Sequence, residues 1–373
     1  MSSFLLMFLL ITLEFSSKVR GGISQATPLV NIDDFRKYAE SNLSNETREY
    51  MQSGGTELTT YRENMEAFKR YRLRPRYMAR DVSTIDTSTT LLGRPVASPI
   101  GICPTSFQKL FHPMGEIATA FAAKNMNLQM ILGGASSTTI ETVVNKTNAE
   151  LWQQIYILRP LNLTSQWVKR AENAGANAIV VTVDRPYKVV TWAAMRGLLN
   201  MGHWLLPNAP TNTFKSRGAA TWDDITWLKS ITKLPIVIKG VLNGGDASNA
   251  VERGASAIIV SNHGGRVLDG VPATLEVLPE VIQAVRGRCE VYLDSGIRTG
   301  RDVFTALALG ARAVFVGRPV LYGLTYNGEQ GVTEVLRLLS NEFTSVMALT
   351  GCTRLSEINS SYVTRHQDFY SDR

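Results

Sequence analysis

The sequence predicts a (β/α)8 barrel entered through a helical cap, and three observations carry that expectation. Short apolar runs rich in β-branched residues recur from Ile100 onward, a helix-like segment follows most of them, and polar residues gather where the runs end. Continuous runs with little alternation suit parallel strands covered on both faces. Eight such units occupy about 250 residues in a barrel of this kind, and the chain has 373.

Residues 1–30 read as a leader or N-terminal extension. "FLLMFLLITL" (Phe4 to Leu13) has the length of a signal-peptide apolar region and is too short to span a bilayer as a helix. Ser24 to Ala26 offers a small-residue cleavage site, but no basic residue precedes the run and Glu14 closes it. A secretory leader and a plain extension both stay open. Residues 31–373 read as a single barrel domain. Its first part, 31–97, carries the helical patterns "IDDFRKYAESN" and "YRENMEAFKRY" and is the expected cap.

The strands then follow in order: "IGICPTS" from Ile100, "LQMILGG" from Leu128, "LWQQIYI" from Leu151 and "AIVVTVD" from Ala178. They continue with "PIVIKGV" from Pro235, "AIIVSNHGG" from Ala257, "VYLDSGI" from Val291 and "AVFVGRP" from Ala313. Helical stretches between them include "GEIATAFAAKN" (115–125), "SQWVKRAENAG" (165–175) and "GRDVFTALALG" (300–310). The last two close on Gly175 and Gly310, suitable helix-ending residues. A doubly wound sheet is the alternative; it usually shows G-x-G-x-x-G after its first strand, which "GICPTS" does not resemble. Lys188 to Ala220 lacks periodicity and reads as a long irregular loop after the fourth strand, a form that often serves as a lid.

Composition narrows the function classes. Hydrophobic content of 44% and charged content of 19% describe an ordinary globular chain. The net charge of +7 suits an anionic small molecule or a phosphate. No basic run or nucleic-acid motif accompanies it, so no nucleic-acid partner is expected. The three cysteines, Cys103, Cys289 and Cys352, are too dispersed for a disulfide framework or for a metal cluster with the four histidines.

Active sites of such barrels lie at the C-terminal ends of the strands. There the first strand presents Pro104, Thr105 and Ser106, the third Gln154 and Tyr156, the fourth Thr182 and Asp184, and the fifth Lys239. The sixth presents Ser261, Asn262, His263 and Arg266; the seventh Asp294, Gly296 and Arg298; the eighth Gly317 and Arg318. The second, ending in Gly133 and Gly134, offers backbone and space. So many polar strand ends exceed what core filling needs. Glycines and arginines after the last two strands suit a phosphate, gripped by backbone N–H groups and guanidinium forks. Lys239 offers a fixed charge for an anion or an electron-rich ring. His263 accepts a proton near neutral pH, Asp184 is placed to hold its tautomer, and Arg266 suits bidentate capture of a carboxylate. A phosphate-bearing cofactor, a base and a carboxylate clamp together suggest oxidation of an α-hydroxy acid.

The chain resembles the FMN-dependent α-hydroxy-acid oxidases, the glycolate and (S)-2-hydroxy-acid oxidase group, from about Ile32 to Asn359. "SNHGGRVLDG" (261–270) looks like their active-site signature. "RPR" (74–76), "PTSFQKLFHPMGE", "TVDRP", "LPIVIKGV", "DSGIRTGRDVFTALALGA" and "VFVGRPV" support it in order. The resemblance implies FMN across the barrel mouth, with Pro104, Thr105, Ser106, Gln154, Thr182, Lys239 and Ser261 along the ring and ribityl chain. Asp294, Ser295, Gly296, Ile297, Arg298, Gly317 and Arg318 would hold the ribityl and phosphate. It implies His263 as base with Asp184 behind it, Arg266 as carboxylate anchor, and Tyr50 and Tyr156 as phenols beside the substrate. A 2-hydroxy acid and O2 would be the small-molecule partners, hydrogen peroxide the by-product, and a homotetramer the assembly. A dehydrogenase using another acceptor, or a flavin-binding barrel with lost turnover, is the alternative reading.

Several positions depart from the family pattern. Thr191 stands where a second substrate-binding arginine is usual, and Val190 beside it is apolar. Ala135 replaces a bulky aromatic, Gly133 a serine, Val267 a glutamine and Ser295 a glycine. Ala135 and Gly133 therefore lead one to expect extra room for longer substrates. The C-terminus, Ser371-Asp372-Arg373, is not the Ser-Lys-Leu type of peroxisomal address. The family habit of a peroxisomal or cytosolic location thus stands beside the possible leader, and the compartment is left open.

Overall fold

The eight apolar runs close into a barrel in chain order. A computed structural model of the protein describes residues 28–187, 189, 191–198, 207–209 and 219–367. The Phe4 to Leu13 run, Val190 and most of the stretch from Lys188 to Ala220 lie outside those residues. Two small pairings precede the barrel: β1 (Tyr71–Leu73), and the hairpin of β2 (Thr89–Leu91) with β3 (Arg94–Val96). The barrel strands are β4 (Ile100–Ile102), β5 (Met130–Leu132), β6 (Leu151–Ile155) and β7 (Ala178–Thr182). They continue as β8 (Ile236–Val241), β9 (Ala257–Val260), β10 (Glu290–Asp294) and β11 (Ala313–Val316). All neighbours pair in parallel, and β11 returns to β4 to close the ring. Outside it, β12 (Val363–Arg365) runs antiparallel to β1.

The strands are apolar throughout because both faces are covered. Inward residues from alternate strands fill the barrel, with Trp152, Tyr292 and Phe315 at its centre. Their ring centroids lie 5.5–5.8 Å apart in tilted and edge-on arrangements, the range aromatic pairs prefer. Each such side chain contributes roughly 1.5–3 kcal/mol when fully buried. Leu91 and Val96 of the β2–β3 hairpin join the same cluster and plug the end of the barrel away from the strand C-termini. The hairpin is tied down by Leu92 N–H, which donates to Glu290 Oε1 at 3.2 Å.

The cap has one more helix than the two patterns read from sequence: α1 (Ile32–Asn42), α2 (Asn45–Gln52) and α3 (Thr59–Lys69). α2 begins on Ser44, whose hydroxyl accepts from Thr47 N–H at 3.2 Å, and buries only Thr47 and Met51. Around the barrel, the expected helices appear with bounds shifted by up to four residues, at Glu116–Asn125, Leu161–Asn173 and Gly300–Ala308. The last opens on a capping box in which Thr299 and Asp302 satisfy each other's backbone N–H groups. A long final helix, Arg318–Thr350, is broken at Asn327 and Gly328. The stretch read as an irregular loop contains a short helix at Trp192–Met195, with Thr191 as its N-cap. No helix among the described residues is long and apolar enough to cross a membrane.

Candidate active site

The loop after β9 is the centre of the site, and its backbone is unusual. His263, Gly264 and Gly265 have successive positive φ angles of 60°, 69° and 72°. Two glycines make that path accessible, while His263 bears the strain of a left-handed backbone, a cost typical of functional positions. Side chains satisfy the exposed N–H groups: Ser261 Oγ accepts from His263 at 3.1 Å, Ser295 Oγ from Gly264 at 3.0 Å, and Asn262 Oδ1 from Gly265 at 3.0 Å. The cap holds the loop from the other side. Asn262 and Asn64 exchange amide hydrogen bonds at 2.7 and 2.9 Å, and Asp269 accepts from the N–H groups of Glu57, Thr59 and Thr60 at the start of α3. Ser295, itself at φ 77° where glycine is the easier residue, is held by its hydroxyl, which donates to Asp294 Oδ1 at 2.7 Å.

His263 Nδ1 lies 2.8 Å from Asp184 Oδ1. A carboxylate only accepts, so Nδ1 carries the hydrogen and Nε2 keeps its lone pair. Burial pushes the imidazole below the usual histidine range, and the opposing pull of Asp184 does not restore it. Burial alone would raise the Asp184 carboxyl. The charges of His263 and Lys239 outweigh it, so the group sits below its ordinary value and stays ionised. Gly240, at φ 113°, makes this possible: a Cβ there would lie 2.6 Å from Asp184 Cβ.

Behind this pair, Lys239 is almost wholly buried. Its Nζ donates to Ser261 Oγ at 2.9 Å and lies 3.4 Å from Asp294 Oδ2 and 3.9 Å from Asp184 Oδ2. Burial opposes its charge, but the two carboxylates raise it above the ordinary lysine value. The ammonium is therefore permanent at working pH.

These groups face a cavity at the C-terminal mouth of the barrel. Lys239, His263, Arg266 and Tyr50 line one part, with Pro104, Thr105 and Ser106 along the wall. Asp294, Ser295, Gly296, Ile297 and Arg298 line another, with Gly317 and Arg318 at the start of the final helix. The remaining expected residues stand behind the lining. Asp184 and Ser261 hold His263 and Lys239, Thr182 is beside Lys239 in the sheet, and Gln154 Oε1 accepts from Gly134 N–H at 2.7 Å. Tyr156 is buried just past β6.

The cavity is rich in cations that lack carboxylate partners. Arg266, Arg298 and Arg318 form no ion pair among the described residues. Arg318 donates to the carbonyls of Met51, Gly264 and Ser53, and burial followed by the charge of Arg266 pushes it down to about 10. An anion at this end restores the balance, and a helix N-terminus with free N–H groups favours one. The residues therefore fit a cofactor such as FMN: Arg298 and Arg318 would suit its phosphate, and Lys239 an electron-rich ring.

One expectation is corrected. Gly133 leaves no space, because the Thr105 carbonyl oxygen is 2.9 Å from where its Cβ would be; at Gly134 the Trp167 ring is 2.8 Å away. Those strand-end glycines admit neighbouring atoms rather than substrate. Thr191 caps the Trp192–Met195 helix by accepting from Ala194 N–H at 3.2 Å and lies in a separate depression beside Glu49, Gln52 and Leu58. Sequence reading also missed Cys103, whose Sγ is 3.5 Å from Asp294 Oδ2, and Arg185.

A half-buried base, an ionised carboxylate behind it, a fixed ammonium and an anion cradle at a barrel mouth define an enzyme that holds a phosphate-bearing cofactor and moves a proton. The chain belongs to the FMN-dependent dehydrogenase family, whose match spans residues 39–365. It is 45% identical to a peroxisomal (S)-2-hydroxyacid oxidase of Arabidopsis thaliana over 350 residues, covering 90% of this chain and 96% of that one. It is 44% identical to 2-hydroxyacid oxidase 2 of Homo sapiens, covering 90% and 98% respectively. Among solved structures, mandelate oxidase superposes with a TM-score of 0.85 at 36% identity, covering 90% of this chain and 98% of that one.

Proposed function

We propose that this FMN-dependent enzyme oxidises an (S)-2-hydroxy acid to the 2-oxo acid and passes the electrons to O2, giving hydrogen peroxide. The observation that carries the reading is the His263–Asp184 pair placed beside Arg266 on the wall of a cation-rich cavity. When bound, FMN supplies the two-electron acceptor. Nε2 of His263 takes a proton from the substrate, and Asp184 stabilises the imidazolium that results. Arg266 donates NH1 to the carbonyls of Tyr50 and Ser53 at 2.9 and 3.2 Å. Its remaining nitrogens make no hydrogen bond among the described residues and are available to a carboxylate. The Arg266 guanidinium also lies 4.9 Å from the Tyr50 ring centroid, which fixes its plane. Lys239 stabilises negative charge on the reduced cofactor.

The same reading extends to substrate size. Ala135 packs with Phe107 in an apolar cluster joined by Tyr50, Leu110 and Ala209. Asn208 anchors that loop by accepting from Ile140 N–H at 2.7 Å. An aliphatic side chain gains about 0.8 kcal/mol per CH2 buried on such a wall, close to fourfold in kcat/KM at about 1.4 kcal/mol per tenfold. Across glycolate, 2-hydroxybutanoate and 2-hydroxyoctanoate, kcat/KM is expected to rise with length, measured by peroxide release alongside dye reduction. Glycolate as the best substrate contradicts the size preference, and dye reduction without peroxide makes the enzyme a dehydrogenase.

A further inference from the structure

Arg185 is a cation brought to the site and left without a counter-ion. It follows Asp184 directly where the chain leaves β7, so its position is fixed by the residue that holds His263. Its Nε is buried without a hydrogen-bond partner. No carboxylate pairs with its guanidinium among the described residues, whereas Arg159, Arg170 and Arg253 pair with Asp224, Glu141 and Asp223. Asp184 does not serve as its partner: Asp184 Oδ2 is itself buried without a hydrogen bond. Two neighbouring groups of opposite charge that leave these atoms unsatisfied are not arranged as a structural ion pair. Buried polar groups without partners are uncommon and costly, so the arrangement calls for a ligand.

The surroundings say which ligand. Arg185 adjoins Asp184, whose carboxylate lies 2.8 Å from His263, and His263 lines the cavity with Tyr50 and Arg266, two residues on which the charge of Arg185 also acts. Arg185 and Arg266 are thus two guanidiniums close enough to act on each other, and neither forms an ion pair among the described residues. Thr191 is turned to its helix cap and supplies no charge here.

We infer that Arg185 is a substrate-binding residue that shares the 2-hydroxy acid's carboxylate with Arg266. This rests on the function proposed above. It makes recognition depend on a residue adjoining the His263 partner, so carboxylate binding and the base are positioned by one turn of chain.

The test uses holoenzyme and a ligand that cannot reduce the cofactor. Binding of 2-oxooctanoate and of its uncharged amide is followed by perturbation of the flavin spectrum in wild type, Arg185→Met and Arg185→Lys. A charge-assisted hydrogen bond lost from a carboxylate weakens Kd by about 10- to 100-fold. Arg185→Met is expected to show that loss for the oxo acid and less than about twofold for the amide, with Arg185→Lys recovering part of it. An unchanged Kd for 2-oxooctanoate in Arg185→Met, or equal losses for acid and amide, overturns the inference alone. If Arg185→Met fails to retain the cofactor, the Arg185→Lys comparison decides by the same acid-against-amide criterion. Wild-type protein that ignores 2-oxooctanoate while oxidising no 2-hydroxy acid overturns the functional reading and this inference with it.

Discussion

Replacing His263 with alanine is expected to leave a protein that still holds FMN but is reduced by substrate about 10²–10⁴-fold more slowly, the usual worth of positioned proton transfer. In the proposed arrangement the phosphate is held at Arg298 and Arg318 and makes no use of the imidazole, so cofactor retention should be unaffected. The geometry also fixes a pH dependence. His263 must be neutral to accept a proton, and burial holds its pKa below the ordinary value of about 6.5. Wild-type kcat/KM should therefore be level at neutral pH and fall only as the pH drops below that range. In His263→Ala this acid limb should vanish. Stopped-flow reduction at a series of pH values measures both effects, and equal reduction rates in mutant and parent remove His263 from the mechanism.

Lys239→Met is the second large change. The ammonium sits between Asp294 and Asp184 at 3.4 and 3.9 Å, so removing it leaves two buried carboxylates without their shared cation. Loss of one partner from a buried ion pair costs about 3–5 kcal/mol. The apoprotein should be destabilised by about that amount in urea unfolding. In the holoenzyme the reduction potential of the flavin should fall, because a fixed positive charge beside the reduced ring has gone. The two readouts separate the roles. A lower potential shows that the lysine acts on the cofactor, while lost stability with an unchanged potential makes it purely structural.

The parts legible in the sequence are those governed by local pattern. Barrel strands buried on both faces appear as unbroken apolar runs, and the polar residues at their ends are conspicuous against them. Gly175 and Gly310 mark helix ends, and both adopt positive φ. Other features depend on contacts distant in sequence. Helix α2, "NETREYMQ", buries too few apolar residues to show a helical stripe, yet it brings Tyr50 over Arg266. The β2–β3 strands are three residues each, too short for a period to emerge. Gly133 looked like open space because the Thr105 carbonyl that fills it belongs to another strand end. Thr191 stands out in sequence only as the missing arginine; its role as a cap that accepts from Ala194 N–H emerges only with the short helix it begins.

The central claim is that the cavity oxidises a 2-hydroxy acid by way of FMN and His263, and anaerobic titration of the holoenzyme tests it most directly. A single equivalent of (S)-2-hydroxyoctanoate is predicted to bleach the yellow flavin absorbance and yield an equivalent of 2-oxooctanoate. The (R)-enantiomer should leave the spectrum oxidised, and admitting O2 should restore the colour with an equivalent of hydrogen peroxide. Flavin that stays oxidised with both enantiomers and with shorter 2-hydroxy acids would contradict the account.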